Sequence, residues 1–159
     1  MDPMNVFSAI RYENLYHMGL VVPDIGAAMA RLSGQLGFTW APVRTFPVHV
    51  SEGGRPPVSL DVQATYSHQG PPYFELIEAI GDGIWSPAQA GQLHHLGIFV
   101  DDVAAEVRRL EAEGFVTELH GVLPDGGLGG PVYLRNSLGV RIELGGPQAR
   151  DMVREWVSG

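Results

Sequence analysis

Apolar residues return along this chain in two rhythms, one of strand length and one at helical spacing. The first predicts strands at about Leu15–Val22, Thr39–Arg44, Val58–Tyr66 and Tyr73–Ile80. It predicts four more at about His95–Val100, Phe115–His120, Val132–Arg135 and Val140–Leu144. The second predicts helices over about Ile25–Leu36, through Ala28, Leu32 and Leu36, and over about Val103–Glu113, through Val103, Val107 and Leu110. Asp24 and Asp102 stand where a side-chain oxygen can accept from the free N–H groups of a helix start. Gly37 and Gly114 stand where the helices should stop. Residues 81–93 read as a linker in which Pro87 allows at most a short helical turn, and 147–157 as a short amphipathic helix. "GVLPDGGLGG", Gly121 to Gly130, is glycine-rich enough to predict a mobile loop.

The order β-α-β-β-β occurs twice because the chain repeats itself. "YHMGLVVPDIGAAMARL", from Tyr16, aligns with "HHLGIFVDDVAAEVRRL", from His94, without a gap. His17 falls on His95, Gly19 on Gly97, Asp24 on Asp102 and Leu32 on Leu110. An internal repeat of this kind decides the fold. It predicts an α+β protein of two βαβββ modules, 15–80 and 94–144, sharing one domain.

Composition narrows the chemistry. The chain has no cysteine, which excludes disulfides, thiolate nucleophiles and sulfur-ligated metals. All ten basic residues are arginine, so lysine Schiff-base chemistry is excluded too. A formal charge of −8 argues against a nucleic-acid partner. No apolar run is long enough for a membrane span, and no secretory leader is visible, so a cytoplasmic location is expected. Met1-Asp2-Pro3 is expected to be unstructured.

Four residues stand out against this background. His17 and His95 hold the same place in the two first strands. Glu75, in "YFELIEAI", and Glu143, in "VRIELGG", each put an acid inside the apolar run of a last strand. Such a carboxylate is costly to bury unless it is paired or bound to metal. The ordinary reading makes the histidines satisfied core residues and pairs Glu143 with Arg141 on the same strand face. The repeat, with Gly19 and Gly97 leaving room beside each histidine, favours a shared site instead. Imidazole and carboxylate suit Zn²⁺, Ni²⁺, Co²⁺, Mn²⁺ or Fe²⁺. Strand alternation sends His95 inward with Gly97 and Phe99, and His94 to the opposite face with Leu96 and Ile98.

"YHMGLVVPDI", "FELIEAI", "HHLGIFVDDV" and "NSLGVRIEL" together resemble the vicinal-oxygen-chelate superfamily, which includes glyoxalase I, methylmalonyl-CoA epimerase, extradiol dioxygenases and antibiotic-resistance proteins. The resemblance implies a half-open mixed β barrel around one divalent metal ion held by His17, Glu75, His95 and Glu143. It is nearest the epimerase and glyoxalase I branches. It therefore implies an isomerase or epimerase that abstracts a proton α to a carbonyl while the metal stabilises the enolate. A glyoxalase-like lyase, an Fe²⁺ oxygenase and a non-catalytic antibiotic-binding module are the alternatives. Glu75 and Glu143 are candidate bases, with Glu78 and Asp61 as alternatives that need not ligate. The expected partners are a small-molecule substrate, an acyl thioester among the candidates, and a second copy of the chain. "LRNSLGV" lacks the His-Pro-Lys-like segment tied to coenzyme A in the epimerases, and "HMGLVVPD" lacks the arginine tied to glutathione in glyoxalase I. Tyr66, Tyr73, Phe99 and Trp85 are candidate cleft walls; His49, His68 and His120 are expected to be exposed.

Overall fold

A computed structural model describes residues 10–159, so the leading Met1-Asp2-Pro3 lies outside the described residues. The first module comprises β1 (Leu15–Val22), α1 (Ile25–Leu36), β2 (Arg44–Glu52), β3 (Val58–Tyr66) and β4 (Tyr73–Glu78). The second comprises β5 (His95–Phe99), α2 (Val103–Ala112), β6 (Val116–Val122), β7 (Leu128–Arg135) and β8 (Arg141–Gly145), and α3 (Pro147–Val157) closes the chain. The expected α+β class and the doubled βαβββ order are both present.

The helices begin where their caps stand. Asp24 accepts from the Ala27 N–H at 2.8 Å, and Asp102 accepts from the Ala105 N–H at 3.0 Å. Gly37 ends α1 at φ 75°, a left-handed conformation that favours glycine. Burial is uneven along α1: Ile25 is buried, whereas Leu36, assigned to the apolar stripe, is exposed.

The strands form one mixed ring in the order β1-β4-β3-β2-β6-β7-β8-β5. Within each module the first and last strands are parallel, β1 to β4 and β5 to β8. The modules join antiparallel, β1 to β5 and β2 to β6. The second joint is short: β2 meets β6 only at Val50, Ser51 and Glu52. One apolar cluster, containing Tyr66, Trp85, Tyr133 and Trp156, gathers residues from both modules. Another packs Ile98, Leu134, Ile142 and Leu144 against Leu110 of α2.

Two expectations need correction. The second strand, expected at about Thr39–Arg44, runs instead from Arg44 to Glu52. Trp40 makes only an isolated bridge to Ser67, and its indole N–H bonds the Met29 carbonyl at 3.1 Å and Ser33 Oγ at 3.0 Å. Pro47 sits within the real strand, in the stretch where β2 pairs with β3 but not β6, an edge that tolerates a missing donor. The supposed mobile loop Gly121–Gly130 is mostly strand. Gly121 pairs with Gly129 across β6 and β7, and a Cβ on Gly121 would overlap the Gly130 carbonyl, so these glycines permit close backbone approach. Only Leu123–Gly127 turns, closed by the Leu123 N–H on the Gly127 carbonyl at 2.9 Å. The linker does carry a single helical turn, Pro87–Gln89.

Candidate metal centre

His17 and His95 lie on the paired strands β1 and β5, where His17 faces Gly97 and Gly19 faces His95. This crossed register makes each glycine the floor for the other module's histidine. A Cβ on Gly19 would overlap the His95 ring, and one on Gly97 would overlap the His17 ring. Glu75 and Glu143 come from β4 and β8, beside Gly19 and Gly97 in the parallel pairings. Two equivalent strand pairs thus deliver two imidazoles and two carboxylates to one centre.

The four side chains meet tip to tip. His17 Nε2 and His95 Nε2 are 2.7 Å apart. Glu143 Oε2 lies 3.1 Å from the first and 3.0 Å from the second, and Glu75 Oε1 lies 3.6 Å and 3.2 Å from them. One ligand atom from each residue falls within 4.8 Å of all the others. Both histidines are essentially inaccessible, and Glu143 is the more open of the two acids.

Charge within the cluster is held by mutual support. Burial opposes protonation of His95, but hydrogen bonds to Glu143 and Glu75, and their charges, raise its pKa to about 9. Burial likewise opposes ionisation of Glu143, and its hydrogen bonds to His17 and His95 hold it well below the usual carboxylate range. Glu75 is lowered against its own burial by the charge of His17 and the hydrogen bond to His95. Tyr66 donates its hydroxyl to Glu75 Oε2 at 2.5 Å. Burial first, and then the charge of Glu75, keeps that phenol protonated.

His94 departs from the expected alternation. From His95 to Phe99 the faces are as expected, with Leu96 and Ile98 packing in the α2 cluster and Phe99 in the other. His94, one residue ahead of β5, instead turns its buried ring onto His95: the two Nδ1 atoms are 2.8 Å apart. Its Nε2 lies 2.7 Å from the Ile84 carbonyl oxygen. A carbonyl only accepts, so His94 Nε2 carries the hydrogen and Nδ1 accepts from His95. Burial, then the charges of His95 and Arg141, lowers the His94 pKa to about 4, which keeps that acceptor available at neutral pH. His95 Nδ1–H is thereby fixed on His94, and Nε2 faces the cluster, its lone pair free for a ligand once it gives up its proton. No partner among the described residues plays this part for His17 Nδ1. Tyr16, at the repeat position of His94, packs edge-on against His17 and stacks on Phe99.

The remaining candidates lie elsewhere. Glu78 accepts from the Ile25 N–H at 3.0 Å at the start of α1, and Asp61 is exposed on β3. Neither belongs to the four-residue cluster or lines the main cavity. Arg141 bonds Glu118 at 2.6 Å and the His94 carbonyl at 3.2 Å, so the Arg141–Glu143 pairing is not made. His49 and His68 are exposed and His120 half-buried. Tyr66 and Trp85 line the main cavity, whereas Phe99 stacks on Tyr16 and Tyr73 packs against Tyr66. Among the described residues, no helix is long and apolar enough to cross a membrane.

Fold and cluster define the class. Residues 16–133 match the glyoxalase/bleomycin resistance protein/dioxygenase superfamily, and the chain belongs to that superfamily. Among solved structures it is similar to a hypothetical protein from Bacillus halodurans, at TM-score 0.57 and 20% identity, over 82% of this chain and 91% of that one. It is also similar to methylmalonyl-CoA epimerase from Streptomyces coelicolor bound to 2-nitronate-propionyl-CoA, at TM-score 0.53 and 19% identity, over 82% and 94%. The methylmalonyl-CoA epimerase of Mycobacterium tuberculosis matches at TM-score 0.53 and 17% identity, over 92% and 95%. No curated protein matches the chain by sequence.

The cluster passes a simple test of fit for a divalent ion. At most one hydrogen can lie between two nitrogens 2.7 Å apart, and Glu75 Oε1 is buried without a well-formed hydrogen bond. A cation at the centre would satisfy both nitrogens and that oxygen, and two carboxylates would balance its charge. A set of two nitrogens and two oxygens suits first-row divalent metals.

Proposed function

We propose that this protein is a metal-dependent isomerase or epimerase that moves a proton α to a carbonyl group, with His17, Glu75, His95 and Glu143 holding one divalent ion. The observation that carries the reading is the convergence of these four side chains at the floor of a cavity of about 680 Å³, which Glu75 and Glu143 both line. When bound, the ion supplies Lewis acidity, polarising the carbonyl and lowering the cost of the enolate charge.

The chain's own residues supply the proton transfer. Glu143 is the better base. It is the more open carboxylate, and its contacts within the cluster, to His17 Nε2 at 3.1 Å and His95 Nε2 at 3.0 Å, are ones an ion would replace. Glu75 is tied by Tyr66 and suited to holding its place. A base that removes the α-proton and returns it to the neighbouring carbon, or to the opposite face once the enolate has turned, yields an isomer with no oxidant or second substrate. The similarity in fold to methylmalonyl-CoA epimerases supports this class over ring cleavage.

Exchange in D₂O tests the proposal. Metal-loaded protein is incubated with 2-substituted acyl thioesters, 2-oxoaldehyde adducts and neutral ketones, and α-hydrogen loss is followed by NMR. Metal-dependent exchange without oxygen consumption is expected. Metal-dependent oxygen uptake would place the protein among the oxygenases instead.

A further inference from the structure

The cavity above the cluster has an unusual balance of charge. Among the described residues, the only charged side chains that line it are Glu75 and Glu143. The chain contains no lysine, and none of its ten arginines lines the cavity. Arg44, whose guanidinium sits 4.9 Å from the centre of the Trp156 ring, is exposed and outside the lining. The walls are aromatic and aliphatic, with Phe46, Val62, Trp85, Tyr133 and Trp156 facing the space. Buried tyrosine phenols add neutral donors rather than charge: burial, then Glu143 and Glu75, raises the Tyr133 pKa well above its usual value.

The mouth continues this character. Leu123 and Leu128, on the β6–β7 hairpin, and Met152, on α3, are exposed large apolar side chains, and all three line the cavity. Exposed apolar side chains gathered at one opening mark a surface that a ligand covers. An anionic group inside would lose its hydration beside two carboxylates and gain no cation in return. One divalent ion at the floor would only neutralise those two glutamates.

We infer that the cavity binds a neutral, largely apolar carbonyl compound and selects against carboxylated and phosphorylated ligands, coenzyme A esters included. Its volume is within the range that encloses drug-sized molecules. The inference deepens the proposed function and rests on it only for the placing of the carbonyl oxygen at the cluster.

A matched pair of probes tests the selection. Benzophenone and 4-benzoylbenzoate share a scaffold and differ by one carboxylate, and propionyl-CoA carries the phosphates. Binding of each is measured by calorimetry on protein freed of metal with a chelator, so a failed metal assignment leaves this result interpretable. Benzophenone is expected to bind at least about tenfold more tightly than 4-benzoylbenzoate, since uncompensated burial of a charge costs that much or more. Propionyl-CoA is expected not to bind detectably. Met152→Arg, at an exposed position on the mouth, should narrow the gap between the two benzophenones. Equal or tighter binding of 4-benzoylbenzoate, binding of propionyl-CoA, no binding of benzophenone, or an unchanged gap in Met152→Arg would each overturn the inference. Metal binding by the same preparation, titrated separately, tests the proposed function on its own.

Discussion

His94 and His95, adjacent in sequence, are joined ring to ring, Nδ1 to Nδ1 at 2.8 Å, while the far side of His94 is fixed by the Ile84 carbonyl. The carbonyl sets the His94 tautomer, and His94 sets that of His95. Groups that orient a metal-binding histidine in this way typically change affinity about 10–100-fold when removed. His94→Phe keeps an aromatic ring, somewhat larger than imidazole, and removes the acceptor. It should weaken Zn²⁺ binding by about that factor in chelator-competition titrations, and cost about 1–3 kcal/mol of stability as the Ile84 carbonyl loses its donor. His95→Ala should lose binding almost completely. Unchanged affinity in His94→Phe would separate the two rings functionally.

The crossed glycines give a steric prediction. Gly19→Ala and Gly97→Ala each drive a methyl into the opposite module's histidine. Each should cost about 1–3 kcal/mol, as overpacking does, and should displace a histidine from the cluster. Gly34, on α1, has open space around its Cβ position. Gly34→Ala should stabilise the protein by about 0.4–1 kcal/mol. Denaturant unfolding of the three variants separates these outcomes.

The pH dependence of the metal-free protein follows from two opposite shifts. The folded pKa of His95 is raised from 6.5 to about 9, so its stabilisation is fully present below 6.5 and is lost as pH rises through 9. Glu143 is depressed from 4.5, so its stabilisation is present above 4.5 and is lost as pH falls below that value. Stability should therefore be greatest between about 4.5 and 6.5 and decline on both sides, as read by urea midpoints across pH. Metal must displace the proton on His95, so binding at pH 7 should release about one proton. Calorimetry in buffers of different ionisation enthalpy counts that proton.

Glu143→Gln separates holding the ion from moving the proton. The amide oxygen can still ligate but cannot act as a base. α-Hydrogen exchange should fall by about 10²-fold or more, the usual contribution of a general base, with metal content largely retained. Tyr66→Phe, which removes only the hydrogen bond to Glu75, should have the smaller effect on exchange.

Much of this site is legible in the sequence. The repeat put His17 over His95, each acid stood inside an apolar strand, and the aspartate caps marked both helix starts. What stayed hidden depended on contacts between distant segments. Trp40 docks on α1 and takes Thr39–Trp40 out of regular strand pairing, so β2 begins only at Arg44. The glycines of 121–130 read as loop because close strand approach and a loop ask for the same residue. Strand alternation does not govern His94, which stands one residue ahead of β5. Its inward turn depends on the Ile84 carbonyl, ten residues earlier in the linker.

The central claim is that these four side chains hold one metal ion. Its most direct test is elemental analysis of untagged protein, followed by calorimetric titration of the chelator-treated chain with Zn²⁺, Ni²⁺, Co²⁺, Mn²⁺ and Fe²⁺. About one equivalent per chain is expected, as four ligand atoms around a single centre require, and His17→Ala and His95→Ala should each abolish it. Absence of bound metal together with no saturable binding of any of the five ions, or one equivalent that survives both substitutions, would contradict the account.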